Sequence, residues 1–342
     1  METFAETLAS FAADLSPARV PRDVAEQGAR LLLDTVGVAL AAGPEDFAAS
    51  IQTVARGLGG PTESSLWGAQ EQVGMAAAVL ANGTLAHGLD YDDTLEEAIV
   101  HTGSCCATAA LAVGEARHAA GPDVLAAVVA GVEVMAAVGT VCPGAFHRRG
   151  FHPTALCGAF GAAAATGRLL GLTAAELVTA FGLCGSQASG IIEYLTDGSS
   201  TKRLHAGWAA HAGVVTAHLA QAGFTSPRTV FEGTHGFYQA FAGAPPDSGR
   251  LASVIGALGR EWAIQRLMFK SYPCGSINQP YMDCAARIRT RPGFDPTVIR
   301  EIVCRTAEGP VHRLWEPLAE KRRPTTSYGA KSASRTASRL CC

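Results

Sequence analysis

The feature that most constrains this chain is a long succession of alanine- and glycine-rich segments in which apolar residues recur at helical spacing. Hydrophobic residues make up 48% of the 342 residues and charged residues only 17%, so a dense helical body is expected rather than a sheet-rich one. Pro17 and Pro21 would break a continuous helix, and other Gly and Pro residues separate the later segments. Helices are predicted over residues 3–16, 22–42, 72–88, 104–119, 122–140, 154–170, 174–187 and 205–222.

The pattern changes after about residue 260. Residues 268–273 are predicted to be extended and residues 278–290 to be helical, while the β-branched run Thr297–Cys304 predicts a strand. The fold class is therefore mostly α, with a large all-helical domain followed by the start of a smaller α/β domain.

Charge and cysteine usage exclude several classes of function. The net charge is −3 and no Lys/Arg block has the size or the interleaved aromatic residues that nucleic-acid backbone binding needs, so no nucleic-acid partner is expected. The ten cysteines lack metal-site spacing, which favours a reducing compartment and no metal. The N-terminus does not resemble a signal peptide, and we expect a cytoplasmic protein. Glu133 interrupts the most apolar stretch, so a buried core helix is favoured over a membrane span.

A first segment that carries chemistry runs from Asn82 to Thr94, with His101 soon after it. It places three carboxylates, Asp90, Asp92 and Asp93, within four residues, and like charges raise one another's pKa in a way that suits proton transfer. The alternative is an exposed acidic loop, or a helix cap in which Asp93 or Thr94 accepts backbone N–H bonds.

Three further segments combine cations or histidine with predicted helix starts. His152 precedes Pro153, which fits a first helical turn, so His152 is expected at a helix N-terminus where bound anions are favoured. Lys202 and Arg203 follow a hydroxyl-rich run and form a plausible carboxylate cradle. Lys270 lies in a Lys-Ser-Tyr-Pro-Cys segment at the predicted junction between the two domains. The alternatives are a structural histidine, a solvated basic turn and a structural lysine.

Taken together, the segments Leu32–Gly37, Ala86–Thr94 with His101, Gly150–Thr154, Ser200–Ala210 and Lys270–Cys274 resemble, in order, those of the MmgE/PrpD family. That family contains 2-methylcitrate dehydratases, cis-aconitate decarboxylases and related isomerases or epimerases. The resemblance implies a homodimer without metal or cofactor, and domains at 1–264 (all-helical), 265–331 (partial α/β lid) and 332–342 (aberrant tail).

The resemblance also implies the site residues. Asp90, His101, His152, Lys202 and Lys270 match its catalytic positions, and Thr94 matches the neighbouring hydroxyl. His101 lies one residue further from the acidic run than in the decarboxylase branch, and the lid lysine is not followed by that branch's histidine. The predicted substrate-binding residues are Thr94, Arg203 and Tyr272.

The implied activity is a lyase of dehydratase type that acts on a small hydroxy-polycarboxylate resembling 2-methylcitrate. An isomerase, an epimerase or a decarboxylase for a related acid is the alternative, and an inactive remnant is another. The family pattern Lys-Phe-Ser-Leu-Pro-Tyr is replaced after Lys331, and deletion of one base from suitably chosen codons reproduces Lys331 through Arg339. A C-terminal truncation by frameshift is therefore expected, with a natural divergent tail as the alternative.

Overall fold

The computed structural model describes residues 2–308, 311–316, 319, 321, 323–324 and 326–331. The predicted aberrant tail at 332–342 lies outside the described residues. Two compact units are present. The first unit comprises Met1–Gly88, Asp92–Ile192 and Thr201–Phe269, and the second comprises Leu89–Tyr91, Glu193–Ser200 and the chain from Lys270 onward. The predicted domain boundaries stay a prediction.

The first unit is helical apart from one two-stranded antiparallel sheet, which confirms the mostly α fold class. Two helices begin at capping boxes, in which Thr3 pairs with Glu6 and Thr173 with Glu176. The helices are α1 (Phe4–Asp14), α2 (Arg22–Ala41), α3 (Asp46–Leu58), α4 (Met75–Gly88), α5 (Gly103–Ala116), α6 (Gly121–Thr140), α7 (Ala145–Arg148), α8 (Pro153–Leu170) and α9 (Ala174–Gln187). In the second unit α10 (Tyr194–Asp197) follows, and the first unit resumes with α11 (Thr201–Gln221) and α12 (Ser248–Ala257). The strands are β1 (Ser64–Ser65) and β2 (Gln72–Val73).

Each of the eight predicted helices in this part of the chain has a counterpart in the structure, with ends that differ by up to four residues. Helix α3 was not predicted. Its two C-terminal residues, Gly57 and Leu58, belong to the glycine-rich cluster that the sequence assigns to a loop. A Cβ at Gly57 would meet no atom within 4 Å, so this glycine tolerates the helix without being required by packing.

Close approach between small residues joins the central helices α4, α6, α8 and α11. A Cβ at Gly207 of α11 would lie 2.2 Å from the carbonyl oxygen of Leu80 in α4, and one at Gly83 would lie 2.7 Å from the Cα of Gly207. A Cβ at Gly131 in α6 would lie 2.8 Å from the carbonyl oxygen of Gly161 in α8. These helices therefore cross with their backbones in contact, as the alanine- and glycine-rich sequence predicts.

Helix α6 is, among the described residues, the one helix long and apolar enough to cross a membrane. Its most apolar window is 78% buried inside the structure, in agreement with the predicted core helix. Glu133 lies within α6, where its carboxylate accepts the backbone N–H groups of Ala263 and Ile264 at 3.0 Å each. Burial raises the pKa of the Glu133 carboxyl to about 7, although these two bonds and Arg266 act in the opposite direction.

The second unit contains α10, α13 (Gln279–Arg289), α14 (Val311–Leu314) and α15 (Ser327–Lys331), and its described residues include no strand. The predicted strand at Thr297–Cys304 is wrong. The side chain of Asp295 accepts the backbone N–H of Thr297 and its hydroxyl, and a 3-10 turn forms over Pro296–Val298. This local Asx turn redirects the chain at the point where the β-branched run begins, so propensity alone is overridden.

The crossing of α4 and α11 predicts that Gly207→Ala destabilises the protein. The new methyl group would meet backbone atoms, which cannot rotate away, and we expect a loss of about 1–3 kcal/mol. Gly37→Ala is the matched control, because Gly37 is helical and a Cβ there meets nothing within 4 Å. It should be neutral or stabilising by up to about 1 kcal/mol. Urea unfolding of both variants measures the difference, and equal effects would contradict the proposed contact.

The buried Glu133 predicts a component of stability that depends on pH. Because the folded pKa is raised above the ordinary value of 4.5 to about 7, the proton stabilises the folded state below pH 4.5, and this contribution is lost as pH rises through 7. Glu133→Gln should flatten the fall in unfolding free energy between pH 5 and pH 7.5 by about 1–3 kcal/mol. Glu96→Gln at an exposed position is the control, and identical pH slopes for wild type and Glu133→Gln would refute this assignment.

Candidate active site

The acidic segment after α4 begins the site, and its carboxylates have different partners. Asp93 accepts the backbone N–H groups of Thr102 and Gly103 at 2.9 and 2.8 Å, and the hydroxyl of Thr102 at 2.8 Å. It therefore stabilises the start of α5, as in the capping alternative. Burial, followed by the charge of Asp92, raises the pKa of Asp93 to about 7 against the effect of these hydrogen bonds. The alternative of an exposed acidic loop is wrong, because Asp90, Asp92 and Asp93 are buried.

The connection from this segment to His101 is a closed loop. Thr94 pairs through its backbone with Met268, and Leu95 pairs with Val100, so the loop ends are fixed on both sides. Ile99 has a φ of 57°, in the left-handed region that a β-branched residue rarely adopts. The backbone of this loop is therefore strained at Ile99, and its paired ends set the position of His101.

Four buried histidines, His87, His101, His152 and His205, lie together in the first unit, and we call them the histidine cluster. The ring centroid of His87 is 5.0 Å from that of His101 and 5.4 Å from that of His152. The centroid of His205 is 5.3 Å from that of His152. The ends of α4, α8 and α11 and the loop before α5 supply one ring each.

Hydrogen bonds fix the proton positions on two of these rings. Nδ1 of His87 lies 2.7 Å from Oδ2 of Asp92, and Nδ1 of His101 lies 2.7 Å from the carbonyl oxygen of Asp93. A carboxylate and a carbonyl oxygen can only accept, so Nδ1 is the protonated nitrogen on both rings. In the neutral form of each ring, Nε2 then carries the lone pair and can accept a proton.

The other two histidines are joined by one N–H···N hydrogen bond. Nδ1 of His152 lies 3.1 Å from Nδ1 of His205, so one nitrogen donates and the other accepts. Burial, followed by the charges of His87, Lys202, His205 and His101, lowers the pKa of His152 well below its usual value. Burial, His87 and Lys202 lower the pKa of His205 to about 4. Both rings therefore favour the neutral form at pH 7.

His87, Asp92 and His101 also meet the spacing of a possible metal site, since one ligand atom of each lies within 4.8 Å of the others. The Nδ1 atoms of both rings already donate to oxygen, however, and a metal ligand nitrogen must be deprotonated. Asp92 is hydrogen-bonded to His87, and its Oδ1 lies 3.7 Å from Nδ1 of His101, beyond hydrogen-bond distance.

The predicted residues Lys202, Arg203 and Thr94 are buried in the first unit. Lys202 lies in the first turn of α11, close enough to His152 and His205 to lower the pKa of both rings. The hydroxyl of Thr94 is 3.3 Å from Nδ1 of His101. The guanidinium of Arg203 donates to the carbonyl of Gly88 at the end of α4 and lies 4.4 Å from the ring centroid of Phe47 in α3, so it holds α11 against both helices.

The second unit brings Asp90 and Lys270 together. Nζ of Lys270 lies 3.0 Å from Oδ1 of Asp90 and 2.8 Å from its carbonyl oxygen, and both side chains are buried. Asp90 has a φ of 54°, a left-handed conformation that is uncommon outside glycine and that this double contact stabilises. The hydroxyl of Tyr272 lies 3.2 Å from Oδ1 of Asp283, so its predicted role in substrate binding stays a prediction.

Sequence reasoning identified some of the residues described above and missed others. The predicted His101, His152 and Lys202 are neighbours in the first unit, and the predicted Asp90 and Lys270 are paired in the second. His87, Asp92 and His205 were missed as site residues. A usable signal existed, because they lie in the segments already singled out, and His205 follows Lys202 by one helical turn. The joint action of Lys202, Lys270 and Asp90 on one substrate stays a prediction.

The buried Asp90–Lys270 pair predicts a strong coupling in stability. Lys270→Met leaves the Asp90 carboxylate buried without this cation and should cost about 3–5 kcal/mol. The double variant Asp90→Asn/Lys270→Met should recover most of that loss, because a neutral pair carries no uncompensated charge. Urea unfolding of both single variants and the double variant gives the coupling energy, and strictly additive losses would show that the pair is not coupled.

Comparisons with known proteins agree with these features. Residues 6–248 match the MmgE/PrpD N-terminal domain. The chain is 28% identical over 279 residues to a cis-aconitate decarboxylase-like protein of Aspergillus oryzae, covering 78% of this chain and 58% of that protein. It is 28% identical over 281 residues to the cis-aconitate decarboxylase of Aspergillus terreus, covering 79% and 57%. It is 28% identical over 297 residues to the cis-aconitate decarboxylase of Mus musculus, covering 84% and 59%.

The chain therefore spans somewhat less than three fifths of each of these relatives. The family match nevertheless covers well over half of the chain and includes the whole histidine cluster. The chain therefore belongs to the MmgE/PrpD family, an enzyme family, and the relatives named here are cis-aconitate decarboxylases or similar to one.

Proposed function

We propose that this protein is a lyase that acts on a small polycarboxylate, with dehydration of a hydroxy-tricarboxylate of the 2-methylcitrate class as the leading reaction. The observation that carries the proposal is the histidine cluster, in which neutral imidazoles lie beside the cation of Lys202. Such a site offers a proton acceptor and a fixed positive charge in a buried setting, which removal of a proton next to a carboxylate requires.

The proton steps follow from the tautomers. His101 accepts the proton from the carbon next to a substrate carboxylate at Nε2, because Nδ1 already donates to Asp93. The electron pair left on that carbon forms the new double bond as the neighbouring hydroxyl departs. The imidazolium of His101 then returns its proton to that hydroxyl, so that water leaves and His101 is neutral again. His152 and His205 stay neutral and can orient the substrate by hydrogen bonding.

Lys202 supplies the electrostatic part of this proposal. As the proton leaves, negative charge grows on the adjacent carboxylate, and a cation fixed in a buried site stabilises that charge far better than one in water. Lys202 is buried in the first turn of α11, beside a helix N-terminus that also favours anions. Lys270 is the second predicted cation, and in this structure its charge is balanced by Asp90.

Decarboxylation of a cis-aconitate-like acid is the second candidate, and the names of the curated relatives favour it. Loss of CO2 also places an electron pair on carbon, and the protein must then deliver a proton there instead of removing one. His101 in its imidazolium form would deliver that proton, and Lys202 would again stabilise the negative charge on the substrate. The two reactions differ in their products, one releasing water and the other releasing CO2.

The test is incubation of the full chain with 2-methylcitrate, citrate and cis-aconitate, followed by NMR analysis of the products and measurement of released CO2. We expect turnover of at least one acid, and Lys202→Met should lower kcat by about 10²–10³, as loss of one transition-state charge contact typically does. Water loss from 2-methylcitrate supports the leading candidate, and CO2 release from cis-aconitate supports the second.

Asp123→Asn, a change at a partly exposed position of α6, is the control and should retain wild-type turnover. Thermal unfolding of each variant separates lost chemistry from lost folding. Absence of turnover with all three acids, or full activity of Lys202→Met, would contradict the proposed function.

A further inference from the structure

We infer that His87, oriented by Asp92, is a second proton acceptor of this site, beside His101. This inference rests on the proposed lyase function and assigns a role to two residues that lie in a segment of interest but are not among the predicted site residues. It starts from the position of His87 at the last turn of α4, where the ring is 1% exposed.

The first observation is the direction of the His87 hydrogen bond. The Asp92 carboxylate accepts from Nδ1 at 2.7 Å, which fixes both the ring orientation and the tautomer. A buried carboxylate that holds an imidazole in this way is the arrangement that makes histidine an effective base in other enzymes. When Nε2 accepts a proton, the new positive charge on the ring lies against this carboxylate.

The second observation is the unused nitrogen. Nε2 of His87 is buried and has no hydrogen-bond partner within the part of the chain that the structure describes. A buried polar atom left in this state costs about 1–3 kcal/mol, which a purely structural histidine would avoid by turning toward a donor. The fixed tautomer makes Nε2 an acceptor, so its missing partner is a group with a proton to give.

The third observation is the surroundings of His87. His152 stacks on it at 27° with centroids 5.4 Å apart, and His101 lies at 5.0 Å. The titratable groups near it are Asp92 in the loop after α4, His101 before α5, His152 at the start of α8 and His205 on α11, and Lys202 acts on the last two. His152 and His205 are neutral, so Asp92 is the counter-charge bonded to His87.

In this step the substrate carbon next to a carboxylate loses its proton to Nε2 of His87, as an alternative to Nε2 of His101, and His87 becomes an imidazolium paired with Asp92. The electron pair of the broken C–H bond forms the new double bond as the neighbouring hydroxyl departs, and that hydroxyl takes the proton from the imidazolium and leaves as water. With His101 presenting its own Nε2, the site has two acceptors on two rings. Loss of one acceptor should therefore leave measurable turnover, and loss of both should abolish it.

Tautomers provide a test that does not depend on turnover. Long-range ¹H–¹⁵N correlation spectra of the full chain labelled with ¹⁵N-histidine should show His87 protonated at Nδ1, with its signals assigned from His87→Gln. In Asp92→Asn the amide can donate to Nδ1, so His87 should switch to the Nε2-protonated form. His101 should keep its Nδ1 proton, because its acceptor is the backbone carbonyl of Asp93. Added citrate should shift the His87 signals.

Kinetics provide the second test, on whichever acid the wild type turns over. His87→Gln and Asp92→Asn should each lower kcat by about 10²–10⁴ with KM changed less than about threefold, in the range of lost general-base catalysis. The double variant should be no worse than the single ones, because the two residues act as a unit. His87→Gln keeps Asp92 in place, so the inference stays testable even where Asp92→Asn fails to fold.

The outcomes separate this inference from the proposed function. Absence of wild-type turnover refutes the function, while the tautomer switch and the citrate shift still judge the role of His87. If the wild type is active and His87→Gln turns over substrate within threefold of the wild-type rate, the inference is overturned and the proposed function stands. Stoichiometric Zn²⁺ binding that requires both His87 and Asp92 and raises turnover would also overturn it, since Nε2 would then serve a metal.

Discussion

Contact between the backbones of α4 and α11 at Gly83 and Gly207 is the constraint on which the rest of the site depends. One helical turn beyond Gly83 lies His87, and one turn before Gly207 lies Arg203, whose guanidinium bonds the end of α4. A larger residue at either glycine would separate the helices and with them the rings and cations that they carry. The abundance of small residues is therefore a requirement of the site as well as of the core.

Charge balance is the second organising principle. The protein buries several ionisable groups, and the carboxylates among them bond backbone N–H groups, an imidazole or a cation. Asp93 bonds backbone N–H groups at the start of α5, Asp92 bonds an imidazole, and Asp90 bonds the ammonium of Lys270. Three carboxylates within four residues thus serve helix capping, ring orientation and ion pairing. Adjacent residues of one type acquire different chemistry because each faces a different neighbour.

The sequence predicted those features that depend on local rules. The helix that begins at Pro153, with His152 as its N-cap, follows from the preference of proline for a first turn. The failures have non-local or overlooked causes. No strand forms over Thr297–Cys304, where Asp295 makes a turn at the start of the run, and the bond between His87 and Asp92 depends on the path of a loop. Asp90 and Lys270 lie 180 residues apart, so only the family resemblance could place them in one site.

The rings of His87 and His101, which are both hydrogen-bonded to the acidic segment, differ in how readily a mutation can change their orientation. The acceptor for His101 belongs to the main chain of residue 93, which every amino acid possesses, whereas the acceptor for His87 is a side chain. A single codon change at position 92 removes the latter outright, while replacements at position 93 leave a carbonyl in place as long as the loop keeps its path. Divergence within such a protein can therefore retune one imidazole independently of the other, which offers a simple route from one reaction to another on an unchanged scaffold.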